Sequence, residues 1–243
     1  MPDRHILAAS GGKAWTGRAN QWRFGGLFRY ALALSGKVRP RLCFLATATG
    51  DSDTSVANCY GAAAGEAVEP YHLQLFPMPN VEDITSFLCS MDVIWVEGGS
   101  VANLLALWRV HGVDAAVRAA WEAGVVLAGS SAGSICWHVG GTTDSFGLEL
   151  RPVTNGLGFL PYANGVHHDV EEQRRPLTQR LVADGTLPLT FATDDGVALH
   201  YVGTDLVEAV ADLPGKSAWR IEAGHAGGMT ETRLPTRLLD GEP

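Results

Sequence analysis

Short apolar runs alternate with segments of helical periodicity along the first half of the chain. HILAA (5–9), RLCFLATA (41–48), HLQLF (72–76), DVIWVEGG (92–99) and GVVLAG (124–129) predict strands, and LFRYALAL (27–34), VANCYGAAAGEA (56–67) and ITSFLCS (84–90) predict helices between them. That order is the pattern of βαβ units and a parallel sheet. Runs such as VIWV are apolar at every position, so the sheet is expected to be covered on both faces. In the segment 100–124, Leu104, Leu107 and Trp108 and then Val113, Val117 and Ala120 recur at helical spacing, with Gly112 as the expected break between two helices.

The pattern changes near residue 150. RPVTNGLGFLPYANG is dense in turn formers, EEQRRPLTQRLVADG predicts a polar-faced helix, and LPLTFATDDGVALHYVG predicts two strands around Asp194, Asp195 and Gly196. DLVEAVAD, SAWRIEA and GMTETRLP predict a run of short antiparallel strands. With no internal repeat or low-complexity linker, residues 1–243 are expected to form one domain.

Composition narrows the function classes. A chain with 46% hydrophobic and 18% charged residues can bury a large core and is not a disordered one. Eighteen Lys+Arg against 26 Asp+Glu give a formal charge of −8, which provides no general basic field for nucleic acid. The N-terminal apolar patch is broken by Gly and Lys and is too short for a signal-peptide core, and no later apolar run reaches the roughly 18 residues a membrane span needs. A soluble, cytoplasmic protein is expected. Cys43, Cys59, Cys89 and Cys136 lack CxxC spacing and lie in apolar segments, so neither a disulfide framework nor a zinc site is expected.

The strongest chemical signal is Gly129-Ser130-Ser131-Ala132-Gly133, a G-x-S-x-G between the strand VVLA and the helical AGSICWH. Five small residues would by themselves let a helix pack closely on a strand, but the strand-turn-helix context is the one a nucleophile elbow requires. Ser131 is therefore the candidate nucleophile. Such a serine needs a base and an oxyanion hole. The amide of Ala132 is one donor by position, and Gly98-Gly99, at the end of DVIWV, can bring a second. His167 and His168 lie in the polar loop N-G-V-H-H-D, whereas His138 falls inside the predicted helix after the elbow. Asp144, Asp169, Asp194 and Asp195 are the carboxylate choices, and the D-D-G turn is the best placed to orient an imidazole.

Several ordered motifs together carry a family resemblance: VEGGSVANLLALWR (96–109), GVVLAGSSAGSICW (124–137), GGTTDSFG (140–147), VHHD (166–169), EEQRR (171–175), DDGVALH (194–200) and LPTR (234–237). From about Arg41 to Thr236 the chain resembles the peptidase E group of serine peptidases, family S51, which includes the aspartyl dipeptidases and, more distantly, the cyanophycinases. The resemblance implies a class I glutamine-amidotransferase-like fold: an α/β three-layer sandwich with a mostly parallel central sheet, plus C-terminal antiparallel strands or a hairpin. It also implies a triad of Ser131, His167 and Asp195, with Gly99 and Ala132 as oxyanion donors and His168 in an aromatic position. Asp195 stands where the best-known dipeptidases carry glutamate. Gly98, Ser100, Asp144, His168, Glu171 and Arg175 are the implied substrate-side residues.

The expected activity is serine-type hydrolysis of small peptides, with a small peptide as partner and no metal or organic cofactor. Two departures bear on the substrate. Ser100 replaces the usual Asn, and Glu171 stands where Asp-X dipeptidases place a basic residue, so a carboxylate would repel an aspartyl side chain unless Arg174 or Arg175 compensates. The alternative is a catalytically weak or inactive homologue that holds a small peptidic or acidic ligand. A glutaminase is disfavoured because that class carries cysteine at the elbow, and Cys136 lies five residues on. The apolar segment near Trp108 and the final strands are the expected face of a homodimer.

Overall fold

The computed structural model describes residues 3–18, 21–224 and 228–240. Its strands are β1 (His5–Ser10), β2 (Lys13–Trp15), β3 (Trp22–Phe24), β4 (Arg41–Leu45), β5 (Glu69–Leu73), β6 (Val93–Val96), β7 (Val126–Ser130), β8 (His138–Thr143), β9 (Arg151–Val153), β10 (Leu160–Gly165), β11 (Thr190–Thr193), β12 (Val197–Val202), β13 (Asp205–Ala211), β14 (Ala218–Ala223), β15 (Met229–Leu234) and β16 (Thr236–Leu238). Its helices are α1 (Gly26–Leu34), α2 (Asp53–Ala63), α3 (Ile84–Cys89), α4 (Val101–His111), α5 (Val113–Glu122), α6 (Ala132–Ile135) and α7 (Arg174–Ala183). Gly112, left-handed at φ 70°, separates α4 from α5. None of the described helices is long and apolar enough to cross a membrane.

Eight strands form the principal sheet in the order β16-β13-β12-β1-β7-β6-β4-β5. Every pairing from β5 to β1 is parallel, and β12 and β13 continue it antiparallel. The strands are apolar on both sides because successive residues serve different layers. Leu7, Phe44, Trp95 and Ala128 pack with Phe28 of α1 and Cys59 of α2, while Ile6, Leu45, Val96 and Leu127 pack with Trp108 of α4 and Trp121 of α5. Trp108 is wholly buried and donates to Thr47 Oγ1 at 3.2 Å, so it is part of the core.

A second sheet, in the order β15-β14-β11-β10-β8-β9, extends the architecture beyond the sequence expectation. Trp137, Phe159 and Phe191 pack it onto the α4–α5 layer, and α7 covers it with Leu177, Leu181 and Val182. The helix expected over AGSICWH is only the four residues of α6, and His138 opens a strand. The reason is tertiary: a Cβ at Gly140 would overlap the Val153 carbonyl and one at Gly141 the Asn164 carbonyl, so this stretch is held by the neighbouring strands rather than by local propensity. The C-terminal strands are also not all antiparallel. The chain leaves the second sheet at Leu234, crosses at Pro235, which has no N–H for a ladder, and enters the principal sheet as β16, parallel to β13.

Candidate active site

Ser131 links β7 to α6 with φ 56° and ψ −111°, one of three described non-glycine residues at positive φ. Such a conformation costs about 1–3 kcal/mol and persists only where its surroundings fix it. Here the Ser131 amide donates to the Ala9 carbonyl of β1 at 3.0 Å, and the Ser131 carbonyl accepts from Ser134 and Ile135 at 2.9 Å. The elbow glycines are required by close backbone approach: a Cβ at Gly129 would overlap the Gly133 carbonyl, and one at Gly133 the Val96 carbonyl. Among the described residues Ser131 Oγ has no hydrogen-bond partner, which fits a nucleophile whose contacts form with substrate.

The turn after β6 lies against this serine. A Cβ added at Gly98 would stand 3.2 Å from Ser131 Cβ, and Gly99, at φ +136°, leaves no room for one beside the Ala48 carbonyl. Ser100 has a structural place: its Oγ caps α4 by accepting from the Asn103 amide at 3.2 Å, and its own amide donates to Ala48. The amides of Gly99 and Ala132 have no partner among the described residues, the second because it opens α6.

His167, at φ 54°, follows β10 in a loop fastened by the end of β1. Its amide donates to Ser10 Oγ at 3.1 Å, and that hydroxyl bonds Thr193 Oγ1 at 2.6 Å. The Ser10 carbonyl also accepts from Gly196 at 2.7 Å, so one residue secures both the histidine loop and the aspartate turn. His167 Nδ1 is hydrogen-bonded to Asp195 Oδ1. The Asp195 amide donates to Asp169 Oδ1 at 2.8 Å, and Asp169 pairs with Lys216. Burial works to raise the Asp169 pKa, but Lys216 and the Asp195 amide outweigh it and hold the carboxyl below its usual range.

The remaining sequence candidates lie in other surroundings. His168 is buried, its Nε2 2.7 Å from Glu231 Oε1, and burial lowers its pKa despite that carboxylate. Glu231 also accepts from Arg175 at 3.0 Å and Gln179 at 2.7 Å, and Arg175 sits over the Trp219 ring. His168 therefore ties the loop after β10 to β15, and Arg175 ties α7 to the same strand. Glu171 pairs with Arg174 at 2.7 Å, and this buried arginine also donates to the Thr142 carbonyl. Asp144, with Glu171 and Glu172, lines a cavity of about 590 Å³. A separate cavity of about 510 Å³ is lined by His167, Asp195, Ser130, Lys13 and Trp15, and Ser131 is outside its lining. Cys136 is buried and its thiol is pushed far up by that burial, which disqualifies it as a nucleophile.

Sequence reasoning missed three residues that position these groups, Ser10, Glu231 and Glu97, and named Asp169 only as a candidate triad carboxylate, whereas it holds the Asp195 amide. Glu97 is buried and pairs with Lys13, across 84 residues of sequence. Only Glu97, in V-E-G-G, left a signal, as a charge closing an apolar strand.

The sheet is mostly parallel, Ser131 stands at the carboxyl end of a central strand, and the His167–Asp195 pair lies on adjoining loops, an arrangement of an α/β protein. The chain belongs to Peptidase family S51, whose profile matches residues 6–209. It is 42% identical over 216 residues to the uncharacterized peptidase YgaJ of Bacillus subtilis (strain 168), an alignment covering 88% of this chain and 91% of that one. It is 27% identical over 161 residues to Peptidase E of Shewanella denitrificans, covering 61% and 67%. Its fold is shared with the crystal structure of a peptidase from an acI-B1 actinobacterium, at a TM-score of 0.64 and 15% identity over 97% of this chain and 95% of that one.

Proposed function

We propose that this S51 peptidase is of the serine type and hydrolyses small peptides through an acyl-enzyme on Ser131. The observation that carries the reading is the bond from His167 Nδ1 to Asp195, on loops fastened to the same strand end, β1, that holds the Ser131 elbow. His167 Nε2 takes the Ser131 proton as Oγ attacks the scissile carbonyl, then gives it to the leaving amine. Asp195 fixes the tautomer that leaves Nε2 free to accept. The amides of Gly99 and Ala132 receive the oxyanion, each worth about 10²–10³ in rate. Water then enters by the same base and releases the acid product.

The surroundings of Glu171 favour substrates other than aspartyl dipeptides. Arg174 and Arg175 are engaged with Glu171 and Glu231, so neither is available to pair with an aspartyl side chain. The test is hydrolysis of a dipeptide and short-peptide panel, Asp-X members included, by the wild type and Ser131→Ala. We expect turnover, weakest for Asp-X, that falls at least about 10³-fold in the variant. Undiminished activity in Ser131→Ala, or an inert wild type, overturns the reading.

A further inference from the structure

The cavity beside His167 has a wall that the mechanism above leaves unused. One side is His167, Asp195 and Gly196, and the other is the hairpin of β2 and β3, which presents Trp15. Trp15 is 70% exposed, the largest side chain of this wall.

The hairpin is built into the molecule. Lys13 reaches the buried Glu97 carboxylate, and its ammonium lies 4.7 Å from the Trp22 ring centroid. Gly12, at φ +112°, lets the strand pass Trp95, where a Cβ would come within 2.7 Å of the indole, and the Gly12 carbonyl accepts from Gly25 at 2.9 Å. Glu97 directly precedes Gly98 and Gly99, so the wall is anchored to the turn beside Ser131.

We propose that this cavity is the leaving-group subsite and that Trp15 selects a large apolar or aromatic residue there. The assignment to the leaving group rests on the serine-peptidase reading; occupancy of the cavity does not. The leaving amine receives its proton from His167, so the residue that carries it extends along the histidine side of the scissile bond. In the cavity lining, the Lys13 ammonium is paired with Glu97 and the Asp195 carboxylate is bound to His167. The Trp15 indole is the largest apolar surface of the lining, and a ring or branched side chain gains most from stacking on it. Asp195 and Asp212, both in the lining, oppose a free carboxylate on the occupant, so an amide-capped residue or a longer peptide fits better.

Equilibrium binding of phenylalaninamide, leucinamide, glycinamide and lysinamide, read by ligand-observed NMR titration, tests this without turnover. We expect phenylalaninamide to bind most tightly and glycinamide least. Trp15→Ala should weaken phenylalaninamide about tenfold, Trp15→Tyr should restore most of it, and Ser131→Ala should bind as the wild type does. Equal binding of phenylalaninamide and glycinamide, a preference for lysinamide, or indifference to Trp15→Ala overturns the subsite. Binding that follows expectation while Ser131→Ala retains full peptidase activity keeps the cavity and removes its leaving-group role.

Discussion

Asp194 and Asp195 are neighbours in the chain whose carboxylates serve different partners. Asp195 Oδ1 meets His167 Nδ1, while Asp194 is buried, accepting from the Ser217 amide and from Trp219 Nε1, both at 2.9 Å. The turn thus separates a group that orients an imidazole from one that fastens β14 beneath it. Residues that look equivalent in D-D-G are distinguished only by the strand that each faces.

Asp195→Asn should therefore leave the fold intact and lower kcat by about 10³–10⁴, the cost of losing the correct tautomer. Asp194→Asn should do the opposite, retaining the His167 contact and destabilising by about 1–3 kcal/mol as the Ser217 amide and the Trp219 indole lose a charged acceptor. Urea midpoints and kcat measured on both variants decide the matter. The division of roles is wrong if Asp194→Asn costs activity without stability.

The glycines around Ser131 make a second contrast. Gly133→Ala puts a methyl into the Val96 carbonyl and should destabilise by at least about 2 kcal/mol, so the loss of activity comes with a lower Tm. Gly98→Ala puts a methyl 3.2 Å from Ser131 Cβ, where the neighbours can shift by tenths of an ångström. It should keep a near wild-type Tm while kcat/KM falls. A Gly98→Ala protein with unaltered kinetics shows that this turn does not approach the substrate.

A third prediction concerns the hairpin anchor. Lys13→Met leaves Glu97 buried without its cation, and one Glu97 oxygen already has no partner. The single substitution should cost about 2–4 kcal/mol, and adding Glu97→Leu should recover a large part of it, because removing both charges abolishes the unpaired one. Chemical denaturation of the two single variants and the double variant gives the coupling. Additive losses mean that the pair does not hold the hairpin.

The parallel half of the principal sheet was legible because each strand is short, apolar on both faces and followed by a helical period. The second sheet was not. Its strand β8 begins in a stretch of small residues that reads as the continuation of a helix, and β10 lies among turn formers, with Asn164 buried but satisfied by Ser134 Oγ and the Phe191 carbonyl. Neither partner is near in sequence, so no local pattern announces them. The elbow was readable for the opposite reason, since the small residues that its close contacts demand fall at five consecutive positions. Ser10 was invisible as a positioning group, and Asp169 was legible only as a candidate carboxylate, because their partners arrive from β11, the loop after β10 and the turns between β11 and β12 and between β13 and β14.

His138 gives the fold a defined acid limit. It is fully buried where β8 begins, its Nδ1 donating to the Ser134 carbonyl at 2.9 Å and its Nε2 accepting from Tyr201 at 3.4 Å. Burial lowers its pKa from 6.5 to about 4, because a charged imidazole would lose its hydration there, and the bond to the Ser134 carbonyl offsets only part of that. The folded state thus binds a proton less readily than the unfolded chain. Its contribution is fully present above the unfolded pKa of about 6.5 and is lost as pH falls from there toward the folded value. At pH 5 the loss from this one group is about 2 kcal/mol. His138→Gln keeps a polar side chain at the site without the titration, so it should be less stable than the wild type at pH 7 and lose less stability on going to pH 5. Urea unfolding of both proteins at the two pH values measures the difference of differences, and equal pH dependence in the two rules out His138 as the titrating group.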